Sequence, residues 1–165
     1  MIAESKAKKP DIRLFLEDIR SVHNVGSIFR TAETSGVSKI YCAGTTPTPL
    51  DRFGRRRADF ARVALGAEDL VLWEYVDTSD AAPLIRSLKK ESFKAISLEQ
   101  DSAAVDYREV QKTKKMLIIL GNEVGGISKA LLKRSDEIAE IPLHGKKESL
   151  NVSVAAGIFL FRLLE

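Results

Sequence analysis

A single cysteine among 165 residues, Cys42, leaves no partner for an intrachain disulfide, and two histidines, His23 and His144, are too few to build a cluster of metal ligands. Disulfide scaffolds and zinc sites fall away, and no metal is expected. Cys42 lies in the apolar run Lys39-Ile40-Tyr41-Cys42-Ala43, where a small buried hydrophobe competes with a reactive thiol as the explanation for its presence. No apolar run approaches the roughly 20 residues that span a membrane. Residues 1–10 carry Lys6, Lys8 and Lys9 but no apolar stretch, so neither a signal peptide nor a lipid anchor is expected there. They read as a mobile basic tail before one domain over 11–165, in the cytoplasm. No internal repeat is visible, and the Gly-Lys-Ser of a phosphate-binding P-loop is missing.

What remains is an ordinary globular composition, 44% hydrophobic and 30% charged, enough for one compact core. The net charge is only +3, but it is concentrated. Between Asp51 and Arg62 stand Arg52, Arg55, Arg56, Arg57 and Arg62 against two aspartates, which equals the whole excess. Such a patch suits a phosphate backbone, with Arg55, Arg56 and Arg57 as the candidate RNA contacts. A solvated loop of mixed charge is the plain alternative.

Short β-branched runs alternate with helical stretches along the chain. Strands are expected over 12–16, 38–43, 70–75, 93–98, 115–120 and 138–143. Helices are expected over 25–35, 82–91, 128–135 and 149–164, with a long Arg-rich loop over 44–66. This order predicts an α/β fold, a parallel sheet covered by helices on both faces, with ligands at the carboxyl ends of the strands. The last helix is apolar almost all round, through Val152, Val154, Ile158, Phe159, Leu160, Phe161, Leu163 and Leu164. A helix with no polar stripe needs cover on a second side, most simply from another copy of the chain, so a homodimer is expected.

Three segments following predicted strands carry candidate chemistry. The first is His23-Asn24-Val25-Gly26, continuing to Arg30; the second is Gly121-Asn122-Glu123-Val124-Gly125-Gly126; the third runs from Ile141-Pro142 to Ser149-Leu150-Asn151. Read singly, each has an undemanding explanation. Asn24 and Ser149 suit helix N-caps, Glu123 suits a solvated loop, and Arg30 suits an exposed helix face off the stripe of Val25, Ile28, Phe29 and Ala32. The glycine turn lets a backbone approach a ligand closely, but it lacks the spacing of a dinucleotide-binding loop.

Together, in this order and spacing, the three segments resemble the motifs of the SpoU (TrmH-like) RNA 2'-O-methyltransferases of the SPOUT superfamily. The resemblance covers nearly the whole chain. It implies a SPOUT-type domain with a deep trefoil knot in its carboxyl-terminal part, a topology that pattern reasoning alone would reject. It implies S-adenosyl-L-methionine as methyl donor, held by main-chain groups around Gly121, Ile141 and Leu150, with Ser149 and Leu98 completing the pocket. It places Asn24, Glu123, Ser149 and Asn151 around the target ribose, assigns Arg30 to activating the 2'-hydroxyl, and implies a dimer built on the first and last helices. A guanidinium is protonated at ordinary pH and accepts no proton. Arg30 must therefore either lose its proton in a dry, electropositive site or steady the developing alkoxide while another group takes the proton.

The resemblance implies an RNA substrate. The early first strand leaves recognition to the catalytic domain and favours tRNA, with rRNA as the alternative. A non-catalytic RNA-binding member of the fold is a second reading, opposed by the presence of Asn24, Arg30, Glu123, Ser149 and Asn151 together. A nucleotide-binding oxidoreductase is a third, lacking its phosphate fingerprint.

Overall fold

Strand β1 (Asp11–Glu17) buries Ile12, Leu14 and Leu16 on one face and Phe15 on the other, so the chain starts its sheet with a strand that is covered on both sides. The same alternation recurs in β2 (Lys39–Ala43), where Ile40 and Cys42 face one way and Tyr41 and Ala43 the other. In β6 (Lys115–Leu120), Met116, Ile118 and Leu120 oppose Leu117 and Ile119. Each of the larger side chains gains about 1.5–3 kcal/mol on burial, and a one-residue slip would exchange the two faces.

The computed structural model describes residues 9–165; of the tail expected over 1–10, all but Lys9 and Pro10 lie outside the described residues. Four further strands complete the sheet: β3 (Leu72–Val76), β4 (Lys94–Leu98), β5 (Val105–Asp106) and β7 (Glu137–Glu140). The order is β3-β2-β1-β6-β4-β7-β5, and every pairing is parallel. Helices α1 (Val22–Ser35), α2 (Ala58–Ala64), α3 (Ala67–Leu70) and α6 (Val152–Leu164) contribute to one core; α4 (Thr78–Lys90) and α5 (Lys129–Leu132) contribute to the other. The expected α/β architecture is present. Among the described residues no helix is long and apolar enough to cross a membrane.

Several boundaries differ from the sequence expectation, each for a local reason. Helix α1 starts three residues early, because Ser21 is its N-cap and accepts a hydrogen bond from the Asn24 N–H at 3.1 Å. Asn24 is therefore not a cap. Helix α6 starts at Val152 rather than 149, capped by Asn151, so Ser149 is not a cap either. Strand β7 stops at Glu140, just before Pro142, whose missing N–H cannot extend a ladder. Strand β3 lies two residues later than expected at its start, α4 begins four residues earlier behind its Asp77 cap, and α5 is a single turn. The Arg-rich segment is not one loop to Gly66: it forms a short hairpin and then α2, whose Phe60 packs edge-on against Phe29 of α1 at 5.1 Å between ring centroids.

Candidate active site

The parallel sheet sends β1, β6, β4 and β7 toward one edge, and the segments that leave those strands meet there. The turn after β6 folds back on itself. Asn122 and Gly126 form an antiparallel bridge, and a Cβ on Gly121 would lie 2.4 Å from the Ile127 nitrogen and 2.5 Å from the Gly126 carbonyl carbon. Only glycine fits that close passage.

The turn is held by three side chains that sequence reasoning did not single out, one of its own and two from outside. Asn122 donates to the Asp18 carbonyl at 2.7 Å and accepts from the N–H groups of Val124 and Gly125 at 2.8 and 3.0 Å. Glu99, just past β4, accepts from Ile127 N–H at 2.9 Å, and Glu17, at the end of β1, accepts from Ser128 N–H at 2.8 Å. The available signal was position, since both carboxylates sit where a parallel strand delivers its last residues to the ligand edge. Their partner depends on where a distant loop lands.

Inside this frame a relay joins all three motif segments. The Asn24 amide donates to Glu123 Oε1 at 2.7 Å, and its oxygen accepts from the Asn151 amide at 3.0 Å. The Asn151 oxygen in turn accepts from Ser153 N–H at 2.9 Å and Ser153 Oγ at 2.6 Å, so the helix cap and the relay share one side chain. Asn24 is 8% exposed, and such a buried amide is costly unless its groups are paired. Its place in the first turn of α1, aimed at the sheet edge, pairs both.

Beside the relay lies a cavity of about 380 Å³. Leu98, Gly121, Ile141, Ser149 and Leu150 all line it, as does Glu123. Residues 141–150 belong to no helix or strand, so their main-chain groups are left for partners outside a ladder. The structure thus brings together every expected donor-pocket residue, with Asn24, Glu123 and Asn151 next to them. It does not bring in Arg30. Six residues beyond Asn24 on α1, Arg30 is about 9 Å further along the axis and turned to another face. It is exposed and does not line the cavity, and its guanidinium forms no hydrogen bond or ion pair among the described residues.

The arginine patch is also rearranged. Arg55 pairs with Asp51 and Arg57 with Asp59, each at 2.8 Å, and Arg56 pairs with Asp69 of α3. The Arg57 guanidinium holds the Asp59 carboxyl below its ordinary range. Exposed pairs of this kind contribute little, so they bias the arginines without removing them from competition for a phosphate. Among the described residues, no three or more His, Cys, Asp or Glu side chains are grouped to hold a metal.

An all-parallel sheet whose strand ends converge on a glycine turn and a cavity lined by irregular backbone defines an α/β protein with a small-molecule site at its carboxyl edge. The chain belongs to the SpoU rRNA Methylase family, whose sequence pattern it matches over residues 11–161. It is 30% identical over 155 residues to the tRNA (guanosine(18)-2'-O)-methyltransferase of Escherichia coli K12, a match covering 93% of this chain and 63% of that protein. It is 31% identical over 152 residues to the 23S rRNA (guanosine-2'-O-)-methyltransferase RlmB of Bordetella pertussis, covering 92% of this chain and 58% of the relative. Among solved structures, the AdoMet-bound rRNA methyltransferase from Sinorhizobium meliloti superposes with a TM-score of 0.83 at 27% identity, over 94% of this chain and 56% of that one. The chain therefore spans between 56% and 63% of the length of these three proteins.

Proposed function

We propose that this protein methylates a ribose 2'-hydroxyl in RNA, using S-adenosyl-L-methionine as donor. The observation that carries the reading is the relay from Glu123 through Asn24 to Asn151, set beside a cavity that all five expected donor-pocket residues line. The residues fit that donor. A cavity of about 380 Å³ suits a nucleoside-sized ligand, and Gly121 lets the turn backbone close around it without a clash. Main-chain groups at Gly121, Ile141 and Leu150 would hold the adenine and ribose, with Leu98 and Ser149 closing the sides. When bound, the donor supplies an electrophilic methyl on a sulfonium.

The chain's own part is positioning and electrostatics. Asn24, Glu123, Ser149 and Asn151 orient the target ribose, and the paired amides fix which atoms face it. Arg30, exposed on α1 and outside the cavity of the protomer, steadies an RNA phosphate and the alkoxide that develops on the 2'-oxygen, a role that requires the α1 of a second copy of the chain to carry it to the ribose. In this reading it acts as an electrostatic clamp, and another group or water takes the proton.

The favoured substrate is tRNA, a reading supported by the Escherichia coli relative; rRNA, named in the Bordetella relative, is the second. A homodimer is supported by the exposed apolar residues of α6, Val154, Ile158 and Phe161. The trefoil knot that family membership implies is supported by the strand order, in which the last strand, β7, enters between β4 and β5 before residues 141–150 return to the turn after β6. The buried free thiol of Cys42 fits a cytoplasmic protein.

Replacing Arg30 tests the mechanism. Arg30→Ala is expected to lower single-turnover methyl transfer by at least about a hundredfold while donor affinity and thermal stability stay near wild type, because the side chain is exposed and lies outside the cavity. Arg30→Lys restores charge without the planar fork and is expected to keep a small rate that is flat near neutral pH. A residual rate for Arg30→Lys that climbs steeply with pH would instead make this position a general base. Full activity in Arg30→Ala would remove the role altogether.

A further inference from the structure

Between Pro49 and Arg57 the chain forms a small finger that nothing in the proposed reaction uses. Leu50 and Arg56 form an antiparallel bridge, and Arg57 N–H donates to the Pro49 carbonyl at 3.0 Å. The tip is organised by one carboxylate: Asp51 Oδ1 accepts from the N–H groups of Phe53 and Arg55 at 2.8 and 3.0 Å, and Oδ2 accepts from Arg55 Nε at 2.8 Å. Gly54, at φ 75°, supplies the left-handed residue that closes the turn. The root is pinned separately, through Arg56 to Asp69 and Arg57 to Asp59.

This frame presents Phe53 rather than burying it. The ring is 66% exposed, and guanidiniums lie over it, Arg52 at 4.7 Å and Arg55 at 5.0 Å from the centroid. A single exposed apolar side chain is unremarkable on a protein surface. An aromatic ring on a turn with a fixed backbone, flanked by two cations, is a different object. Arg52 has no carboxylate partner among the described residues, so its charge is not spent within the finger.

We infer that the tip of this finger is a stacking platform for an unpaired RNA base, with Phe53 taking the base and Arg52 and Arg55 its flanking phosphates. Bases in single-stranded segments stack on aromatic rings and guanidinium planes whatever their identity, which suits a ring left 66% exposed. The finger also stands in the right place. It follows the carboxyl end of β2, and the segment that leads into it is tied to the turn before α1, through Thr45 N–H to Asp18 at 2.8 Å and Ile19 N–H to Thr46 Oγ1 at 3.1 Å. The strand it follows ends at the same sheet edge as the strands that deliver Asn24 and Glu123. The inference rests on the reading of the protein as an RNA enzyme, and it shifts part of the contact from the arginine cluster at the root to the aromatic ring at the tip.

The test compares two probes on the full-length protein, a short oligoadenylate and an abasic ribose-phosphate strand of equal length. Wild type is expected to bind the oligoadenylate about tenfold more tightly, the order expected for one stacked base. Phe53→Leu keeps the apolar bulk without the ring and is expected to erase that preference. Phe53→Trp is expected to keep it, with quenching of the new indole fluorescence by oligoadenylate alone. Arg52→Ala with Arg55→Ala is expected to weaken both strands equally and to flatten the salt dependence. Thermal melting should be unchanged in the Phe53 variants. A preference that survives in Phe53→Leu overturns the platform while leaving RNA binding intact. Failure of wild type to bind either strand overturns the RNA reading and the platform with it, and a Phe53→Leu change in sedimentation would assign the ring to a subunit contact instead.

Discussion

Cys42 shows how far burial alone can set the chemistry of a residue. The side chain has no exposed surface, packed among Ile40, Ile12 and the helices of one core face, and burial pushes the thiol up to about 12. Of the two explanations open from sequence, the small buried hydrophobe is the one the structure supports. The folded protein keeps the proton where an unfolded chain would release it, so deprotonation lowers the free energy of the unfolded state as pH rises past the ordinary thiol range. Stability from this group is complete at neutral pH and declines as pH climbs toward about 12. Alkylation of the native protein at mildly alkaline pH is therefore expected to proceed only at the rate of unfolding. Denaturant titrations from neutral to strongly alkaline pH should show a steeper loss of stability in wild type than in Cys42→Ala. Rapid stoichiometric labelling of the native protein would contradict the assignment.

At the scale of one element, α6 combines a structural duty with a site duty at its N-cap. Asn151 caps the helix through its oxygen and supports Asn24 through its amide. The two duties separate by substitution. Asn151→Ala loses both, and is expected to cost about 1 kcal/mol, a fall of a few degrees in Tm, together with about tenfold or more in methyl transfer. Asn151→Asp keeps an acceptor for the cap but sets a carboxylate against the Asn24 oxygen. Asn24 can then pair with one carboxylate only by turning away from the other, Glu123. Near-normal melting with the same loss of transfer is the expected outcome, and a variant that retained full activity would show that the relay does not position the ribose.

The elements also show what was legible in the sequence. Strands over 12–16, 38–43 and 115–120 were readable because a strand buried on both faces is a short, largely apolar run, and the observed β1, β2 and β6 differ from them by one residue at most at either end. The cavity lining followed from motif resemblance. The caps were misplaced because Asn24 and Ser149 have capping chemistry, while the true caps, Ser21 and Asn151, lay three and two residues away. In the arginine segment the charges hid the apolar stripe of α2, and the Arg56 to Asp69 pair spans 13 residues that no local pattern connects. Glu99 and Glu17 were missed for the same reason, since each acts on a loop brought to it only by the closed sheet, as does the bond from Asn122 to the Asp18 carbonyl.

For the molecule as a whole, the unresolved demand is the outward face of α6. Val152, Ala156, Phe159, Leu160 and Leu163 are buried toward the core side where α1 also packs. On the other side Val154 and Phe161 are each 50% exposed and Ile158 is 37% exposed, three apolar residues at i, i+4 and i+7 along one stripe. Water is a poor partner for such a stripe, and at about 25 cal/mol per Å² its burial against a second copy would favour association. Symmetric pairing places the same stripe on both subunits, so it satisfies the demand with no additional surface. Light scattering at micromolar concentration is accordingly expected to give twice the 18.2 kDa chain mass. Phe161→Glu is expected to shift the protein to monomer while leaving its melting transition cooperative, because the ring is only half covered in the protomer and the core side of the helix is untouched. The charge would then sit in water in the monomer but at the centre of an apolar contact in the dimer, where desolvation makes it expensive. A wild-type protein that remains monomeric at that concentration would leave α6 with an exposed stripe and would remove the dimer from the proposed function.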